Sequence, residues 1–519
     1  IHRSLFYTHI IYVMKPYRRV YSSMLAIVGA LFIVSCSSSQ PKSLTILHTN
    51  DIHASFLPHE AFWVKSDPKP MVGGFDELSW MVDSIKKVKG DVLLLDGGDV
   101  MTGSPISEID YQGSTGGALF EMMNKVGYDA WTIGNHDLDI SQDNLRQHTG
   151  IVHFPTVSAN LTDSSGNFPF NNKEYVILNK NGLRIGIIGL MTPDLYSVTN
   201  TKNLHGLKVL SPSEVTQKLI DKIKDQVDVT VVLSHEGVDV DSTVAANTHG
   251  LNIIIGGHSH TRLKTPKVVN GVIICQTGSN CENLGELEVT VENKKVTHFD
   301  GKLHQLWLRH DRRDDELKAL VDKFKTQIDK EYGEVIGTLV SDWRRGGRDE
   351  SNIGDFMVDA IREGANADLA IANSSSLRKD LSAGPIRKLD LFEIMPFRNT
   401  LCTFTMSGKE VKAFAERYAK AIRDGSASTQ VSGMKCAWKS SDNGIAVQHL
   451  TINGKEIDDN KSYTCATSDF AVNQAEKYLG FVPSGVNYAE TTILQTMLDK
   501  VRKDKSVDSK IERRFEQVP

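Results

Sequence analysis

Five apolar runs of strand length, each ending in carboxylates, imidazoles or an amide, constrain this chain more than any other feature. LTILH (Leu44–His48) leads into TNDIH, with Asp51 and His53, and DVLLL (Asp91–Leu95) leads into DGGD, with Asp96 and Asp99. DAWTI (Asp129–Ile133) leads into GNHDLD, with Asn135, His136, Asp137 and Asp139. VTVVL (Val229–Leu233) leads into SHEG with His235, and NIIIGG (Asn252–Gly257) into HSH with His258 and His260. Helical patterns such as FDELSWMVDSIKKV (Phe75–Val88) separate the runs, an alternation that predicts an α/β layered domain.

Any one of these clusters reads as a capped turn or a hydrogen-bonded core histidine, because Asp and Asn side chains bond their own backbone. Five together read differently. Loops beyond the carboxyl ends of strands in an open α/β sheet line one crevice, so their polar groups converge. Burying so many carboxylates and imidazoles is costly without a partner, and a cation is the economical partner. Asp51, His53, Asp99, Asn135, His235, His258 and His260 contain no thiolate and suit a transition metal such as Zn or Mn better than Ca or Mg. Seven ligands exceed what one catalytic zinc uses, which predicts two divalent ions with Asp99 as the natural bridge. His136 and Asp139 are left over for proton work, an imidazole with a carboxylate three residues away to hold its tautomer.

At 519 residues the chain exceeds one ordinary core and predicts at least two domains. Its formal charge of -5, from 59 basic and 64 acidic residues, leaves no electrostatic footprint for a nucleic acid polymer. Lys15, Arg18 and Arg19 precede the apolar stretch Met24–Val34, the size of a secretory h-region. It runs into Ile33-Val34-Ser35-Cys36, which resembles a bacterial lipobox. The expectation is an exported lipoprotein anchored to a membrane through Cys36 and facing the periplasm or cell surface. Residues 1–36 form the signal region, with Met14 as the expected start, and 37–43 a flexible tether. Export implies an oxidising compartment. None of the five further cysteines forms a CxxC pair, and a Cys275–Cys281 disulfide is left open.

In order, DxH, GGD, GNHD, the SHEG histidine and GHSH resemble the motifs of the calcineurin-like metallophosphoesterases across residues 44–262. NDIH with GNHDLD narrows this to the bacterial 5'-nucleotidase and UDP-sugar hydrolase branch. The resemblance implies one ion on Asp51, His53, Asp99 and His260 and a second on Asp99, Asn135, His235 and His258. It gives His136 the stabilisation of phosphoryl charge or protonation of the leaving group, with Asp139 orienting it. Some relatives carry Gln where His260 stands. Asp96 and Glu236 are left as supporting residues, and His48, His148, His153 and His249 as packing or solvated ones.

Leu317, Leu320, Val321, Phe324 and Ile328 recur at helical spacing, so Asp315–Tyr332 predicts an amphipathic helix. SNIGDFMVDAIREG (Ser351–Gly364) predicts a second, capped by Ser351 or Asn352. GDFMVDAI, NSSSLR, LSAGPI and MPFRNTL resemble the 5'-nucleotidase C-terminal domain over roughly residues 336 to 500. By that resemblance, Asn373 and Arg378 reach the substrate, although Ser374, Ser375 and Ser376 replace the usual glycines. Relatives sandwich a nucleobase between two rings. Here TSDFAVNQAEKY keeps Phe470, Asn473 and Tyr478 and puts Glu476 where Asp is usual, while Ser428 stands at the place of the other ring. Phe470 is read either as a stacking ring or as a core aromatic, and Arg348 as a further phosphate contact.

The resemblance implies a four-layer α-β-β-α metallophosphoesterase domain (44–308), a linker helix (309–335) and a smaller α/β C-terminal substrate-binding domain (336–519). The expected activity is release of phosphate from nucleotides or nucleotide sugars by in-line attack of a hydroxide held between two divalent ions, in a monomer. The alternatives are a 2',3'-cyclic nucleotide or non-nucleotide ester as substrate, or a non-catalytic nucleotide-binding surface lipoprotein.

Overall fold

A computed structural model describes residues 40–309, 315–441 and 444–519. The signal region, Met14, Cys36 and residues 37–39 of the expected tether lie outside the described residues. The first strand begins at Lys42, inside that expected tether, because Lys42 and Ser43 already pair with Val291 and Thr290.

The first half of the chain builds two six-stranded sheets face to face. One runs in the order Lys295–Gln305, Asn283–Glu292, Lys42–Thr49, Leu93–Asp96, Ala130–Thr132, Thr156–Val157. The other runs Tyr175–Lys180, Leu183–Met191, Val229–His235, Ile253–Ile255, Val272–Cys275, Lys267–Val269. Alternation within each strand decides which side chains meet. Leu44, Ile46, Leu93 and Leu95 face Ile187, Val231, Leu233 and Ile255 in the core between the sheets. Leu47 and Leu94 point the other way, into a core shared with Phe75, Leu78 and Val82 of the helix Phe75–Lys89. On the far side, Ile188, Val232 and Ile254 pack on Leu219, Ile220 and Ile223 of the helix Pro212–Ile223. The result is the four-layer α-β-β-α arrangement.

The linker helix runs from Glu316 to Tyr332 and is N-capped by Asp315, whose carboxylate accepts the Lys318 N–H at 3.0 Å. Its buried Leu317, Val321, Phe324 and Ile328 join the first domain's outer core, so it is packed against that domain rather than held in solvent between the two.

The second domain centres on a five-stranded sheet in the order Thr429–Ser432, Leu369–Asn373, Ser462–Ser468, Thr400–Ser407, Asn487–Thr492. The helix Asn352–Gly364 starts at Ser351, whose hydroxyl accepts the Gly354 N–H at 3.1 Å, and packs Ile353, Met357 and Ile361 against Ala370 and Ala466. The helix Gly408–Arg423 covers the opposite face with Val411, Phe414 and Ala415. The five cysteines among the described residues are buried free thiols, so the Cys275–Cys281 bridge left open above is not formed. No helix of the described residues is long and apolar enough to cross a membrane.

Candidate metal centre between the domains

The strands Lys42–Thr49, Leu93–Asp96 and Ala130–Thr132 run parallel, as do Leu183–Met191, Val229–His235 and Ile253–Ile255. Parallel strands bring their carboxyl ends to one edge, where the loops carrying the candidate ligands meet. The backbone there is strained. Asp51, His53, Asp99, His258 and His260 all adopt positive φ, between 49° and 73°, a conformation that non-glycine residues hold only when their surroundings impose it.

Two clusters of candidate ligand atoms result. Asp51, His53 and His260 form one, and Asp99, His235 and His258 the other, each with its atoms within 4.8 Å of one another. Asp99 Oδ2 lies 3.1 Å from His235 Nε2 and 3.9 Å from His53 Nε2, so one carboxylate oxygen stands between the clusters. Asn135 Oδ1 is 3.2 Å from His235 Nε2 and 2.8 Å from His258 Nδ1, which adds an amide oxygen to the second group. His260 Nε2 faces both Asp51 Oδ1, at 3.4 Å, and His53 Nε2, at 3.0 Å. All seven expected ligands are therefore brought together.

The donor chemistry fits a pair of divalent cations. His53 turns its Nε2 toward a second imidazole nitrogen and two carboxylates, while its Nδ1 is 3.1 Å from the Thr102 carbonyl, the outer bond that fixes the tautomer of a ligating histidine. His235 is held the same way by the Gly97 carbonyl at 2.7 Å. Burial raises the cost of charge on Asp99, yet His235 and His136 hold its carboxyl well below the ordinary range. Burial likewise opposes charge on His235, but Asp99 outweighs it and pushes the imidazole up to about 10. A divalent cation held by these residues would stand where that proton does. The neighbouring backbone is cut to fit: a Cβ on Gly98 would stand 2.8 Å from His235 Nδ1, and one on Gly134 would overlap Asp99.

His136 lies beside the clusters. Its N–H donates to Asp99 Oδ1 at 2.7 Å, and its Nδ1 is 2.7 Å from Asp139 Oδ2, an oxygen that also accepts the Thr102 hydroxyl at 2.8 Å. Burial disfavours its charged form, but Asp139 and Asp99 outweigh it and raise its pKa above the ordinary imidazole value. Asp96, left as a supporting residue, accepts the Thr49 hydroxyl at 2.6 Å and the Gly98 N–H at 2.9 Å and shapes the DGGD turn. Glu236 is buried behind His235 and takes no ligand position.

The second domain closes the site. Arg378 Nη2 reaches to 3.1 Å from His53 Nε2, and Phe397 lays its ring 5.7 Å from that of His136. A cleft of about 340 Å³ runs from Asp99, Asn135 and His136 past Asn373 and Arg378 to Phe470, with Ser428 also on its wall. Phe470 is partly exposed, leans on the buried Tyr478 at 5.9 Å and lines the cleft. Asn373 is buried, and its amide donates to the Ser375 hydroxyl at 2.9 Å. Other expected substrate contacts lie elsewhere. Asn473 donates to Asn200 across the domain boundary at 3.3 Å, Glu476 is exposed, and Arg348 lines a second cavity with its Nη1 on the Gly425 carbonyl at 2.9 Å. Lys477 and Tyr478 line the cleft at the turn where Asn473 and Glu476 were expected. Sequence reasoning missed Thr102, Asp137 and Phe397. The MPFRNTL motif carried a signal for Phe397, whereas nothing local marks a threonine 37 residues from the aspartate it serves.

Residues 44–262 match the family model of calcineurin-like phosphoesterases, and residues 333–482 that of the 5'-nucleotidase C-terminal domain. The chain is 27% identical to the protein UshA of Yersinia enterocolitica, over 90% of this chain and 92% of that one. It is 27% identical to a 5'-nucleotidase of Vibrio vulnificus, over 88% and 90%. A 5'-nucleotidase precursor from Thermus thermophilus superimposes with a TM-score of 0.79 at 26% identity, covering 92% of this chain and 99% of its own. The fold is shared with the sulfate thiohydrolase SoxB of Thermus thermophilus, with a TM-score of 0.76 at 16% identity.

Proposed function

From the premise that this chain belongs to the calcineurin-like phosphoesterases, carries a 5'-nucleotidase C-terminal domain and is a phosphoric ester hydrolase, we propose that it releases phosphate from nucleotides in the cleft between its two domains. The observation that carries this reading is the position of Asp99 Oδ2 between two ligand clusters, with His136 beside it and a second domain over it. Asp51, His53, Asp99 and His260 would hold one divalent ion, and Asp99, Asn135, His235 and His258 the other. Such ions supply Lewis acidity and a water of lowered pKa.

The chain's own residues do the rest. Asp139 fixes Nδ1 of His136 and leaves Nε2 to donate a proton to a phosphoryl or leaving-group oxygen. Arg378 offers a planar fork of donors to the phosphoryl oxygens, and Phe397 shields His136 from water. Asn373 and the Phe470 ring orient the nucleoside, the ring by stacking. Ser428, which also lines the cleft, favours a second reading, a 2',3'-cyclic nucleotide or another ester whose recognition does not need two rings. The domain limits given above and lipid anchoring at Cys36 after export belong to the same proposal, the latter on the sequence of residues 15–36 alone.

The test is phosphate release from AMP, UDP-glucose, a 2',3'-cyclic nucleotide and an aryl phosphate, after chelation and after returning Mn or Zn. Activity restored by metal and lost in His136→Ala is expected. Activity indifferent to both treatments overturns the assignment.

A further inference from the structure

Beyond the Phe470 cleft the same interdomain space opens into a second cavity of about 1160 Å³, more than three times the roughly 340 Å³ of the cleft. A mononucleotide does not need this room. Both cavities reach the metal centre: His260, Ser375, Arg378, Ser428 and Lys477 line the two alike. They join where Ser428 stands in place of an aromatic ring, its carbonyl accepting the Ser374 N–H at 2.8 Å.

The walls of this second space are cationic, with seven Lys and Arg side chains against three carboxylates. Part of that charge is compensated. Arg262 pairs with Glu282, Arg344 with Asp342 at 2.5 Å, and Arg345 with Asp380 at 3.1 Å. Arg348 bonds only a backbone carbonyl, and neither it nor Lys477 has a carboxylate partner among the described residues. Two aromatic faces lie beside these charges, Phe62 under Arg344 at 5.2 Å and Trp63 under Arg262 at 4.9 Å, and Trp63 is 44% exposed. A guanidinium without a carboxylate partner, Arg348, and an exposed ring, Trp63, line this one cavity, the pair of groups that recognises a phosphate and a planar base.

We propose that this cavity is a subsite for a second phosphate, so that the preferred substrate is a nucleotide carrying another phosphate beyond the scissile one, on its ribose or in an internucleotide linkage. The inference rests on the nucleotide-hydrolase reading of the metal centre. Ser428 is the specificity-determining position: a ring there would wall the cleft from the cavity, and the hydroxyl leaves the passage open. Arg348 contacts the second phosphate, and the ring of Trp63 receives what lies beyond it.

The experiment compares kcat/KM of the metal-supplied full chain for AMP, adenosine 3',5'-bisphosphate and the dinucleotide pApA. An advantage of about tenfold over AMP is expected for the two-phosphate substrates, the scale of one charge-assisted hydrogen bond. Arg348→Ala should remove that advantage and Arg348→Lys restore part of it, while Ser428→Phe should lower pApA turnover relative to AMP. A gain for the bisphosphate alone supports recognition of a terminal phosphate, and a gain for both extends it to the diester. These ratios are taken within one preparation, so they do not depend on the fraction of a variant that folds. Equal efficiency on all three substrates, or a proportional loss on all three in Arg348→Ala, overturns the subsite and leaves the nucleotidase standing. Release of phosphate from none of them overturns the nucleotidase reading and the subsite with it.

Discussion

The carboxylate of Asp137 accepts the backbone N–H of Asp99 at 3.1 Å, and with it those of Val100, Met101 and Gly134 at 3.0, 3.1 and 2.8 Å. One buried side chain thus pins the loop that carries the shared carboxylate to the loop that carries Asn135 and His136. Asp137→Asn turns an amide N–H toward donors and leaves at least one of them unsatisfied. A 10- to 100-fold loss of metal affinity is expected, about the scale of removing an outer partner of a ligand. Metal content after dialysis reads it directly, and a fully loaded, fully active variant would refute the clamp.

Gly134 tests the same joint by volume. Its added Cβ would collide with the Asp99 backbone N and Oδ1, neither of which can yield without moving the bridge between the clusters. Gly134→Ala should lower metal content and activity together, whereas Gly150→Ala, with open space around it, should change neither.

Phe470 lines the cleft with Tyr478 beside it and is the ring proposed above to stack on the nucleoside. Truncation to alanine should raise KM for AMP by about 5- to 150-fold, the range for one stacked base, and spare turnover of an aryl phosphate at saturating concentration. A fall in kcat for both substrates with KM unchanged would move the residue out of substrate binding.

Stability should decline in acid through two buried histidines outside the proposed ligand set. Burial pushes His48 down to about 3; it pushes His148 down to about 4, against the opposing bond to the Thr115 carbonyl. The unfolded chain takes up these protons near pH 6.5 and the folded one refuses them until those lower values. Stability is therefore lost as pH falls from about 6.5 toward 4, by about 1.4 kcal/mol per unit for each histidine. Phe120 already stacks on His148 at 4.2 Å, so His148→Phe keeps the packing and should remove one of the two contributions. Urea midpoints at pH 7 and 5 decide it, and an unchanged difference between them would refute the assignment to His148.

Much of the architecture was legible because hydrophobic alternation is local. The runs before Asp51, Asp99, Asn135, His235 and His258 all became strands, and the spacing from Leu317 to Ile328 became the buried face of a helix. Contacts between distant segments were harder to read. In the sequence Asp137 is a turn residue bonding its own backbone, and it bonds Gly134 as such, yet three of its four donors lie in a loop some 37 residues earlier. Asn473 and Glu476 sit in a motif whose periodicity does not say which side of a short turn faces the cleft. The turn presents Phe470, Lys477 and Tyr478 instead.

By itself the sequence determined which chemistry was available: seven oxygen and nitrogen ligands without a thiolate, an imidazole with a carboxylate three residues on, and strands that must end together once they pair in parallel. Tertiary structure alone decided how those groups face one another. The single Asp99 oxygen between two clusters, the reach of Arg378 to His53 from another domain, and the opening at Ser428 into a cationic cavity are relations between segments far apart in the chain, 325 residues in the case of Arg378 and His53. Such relations follow from the packing of whole layers and domains, which side-chain spacing along one strand or helix does not encode.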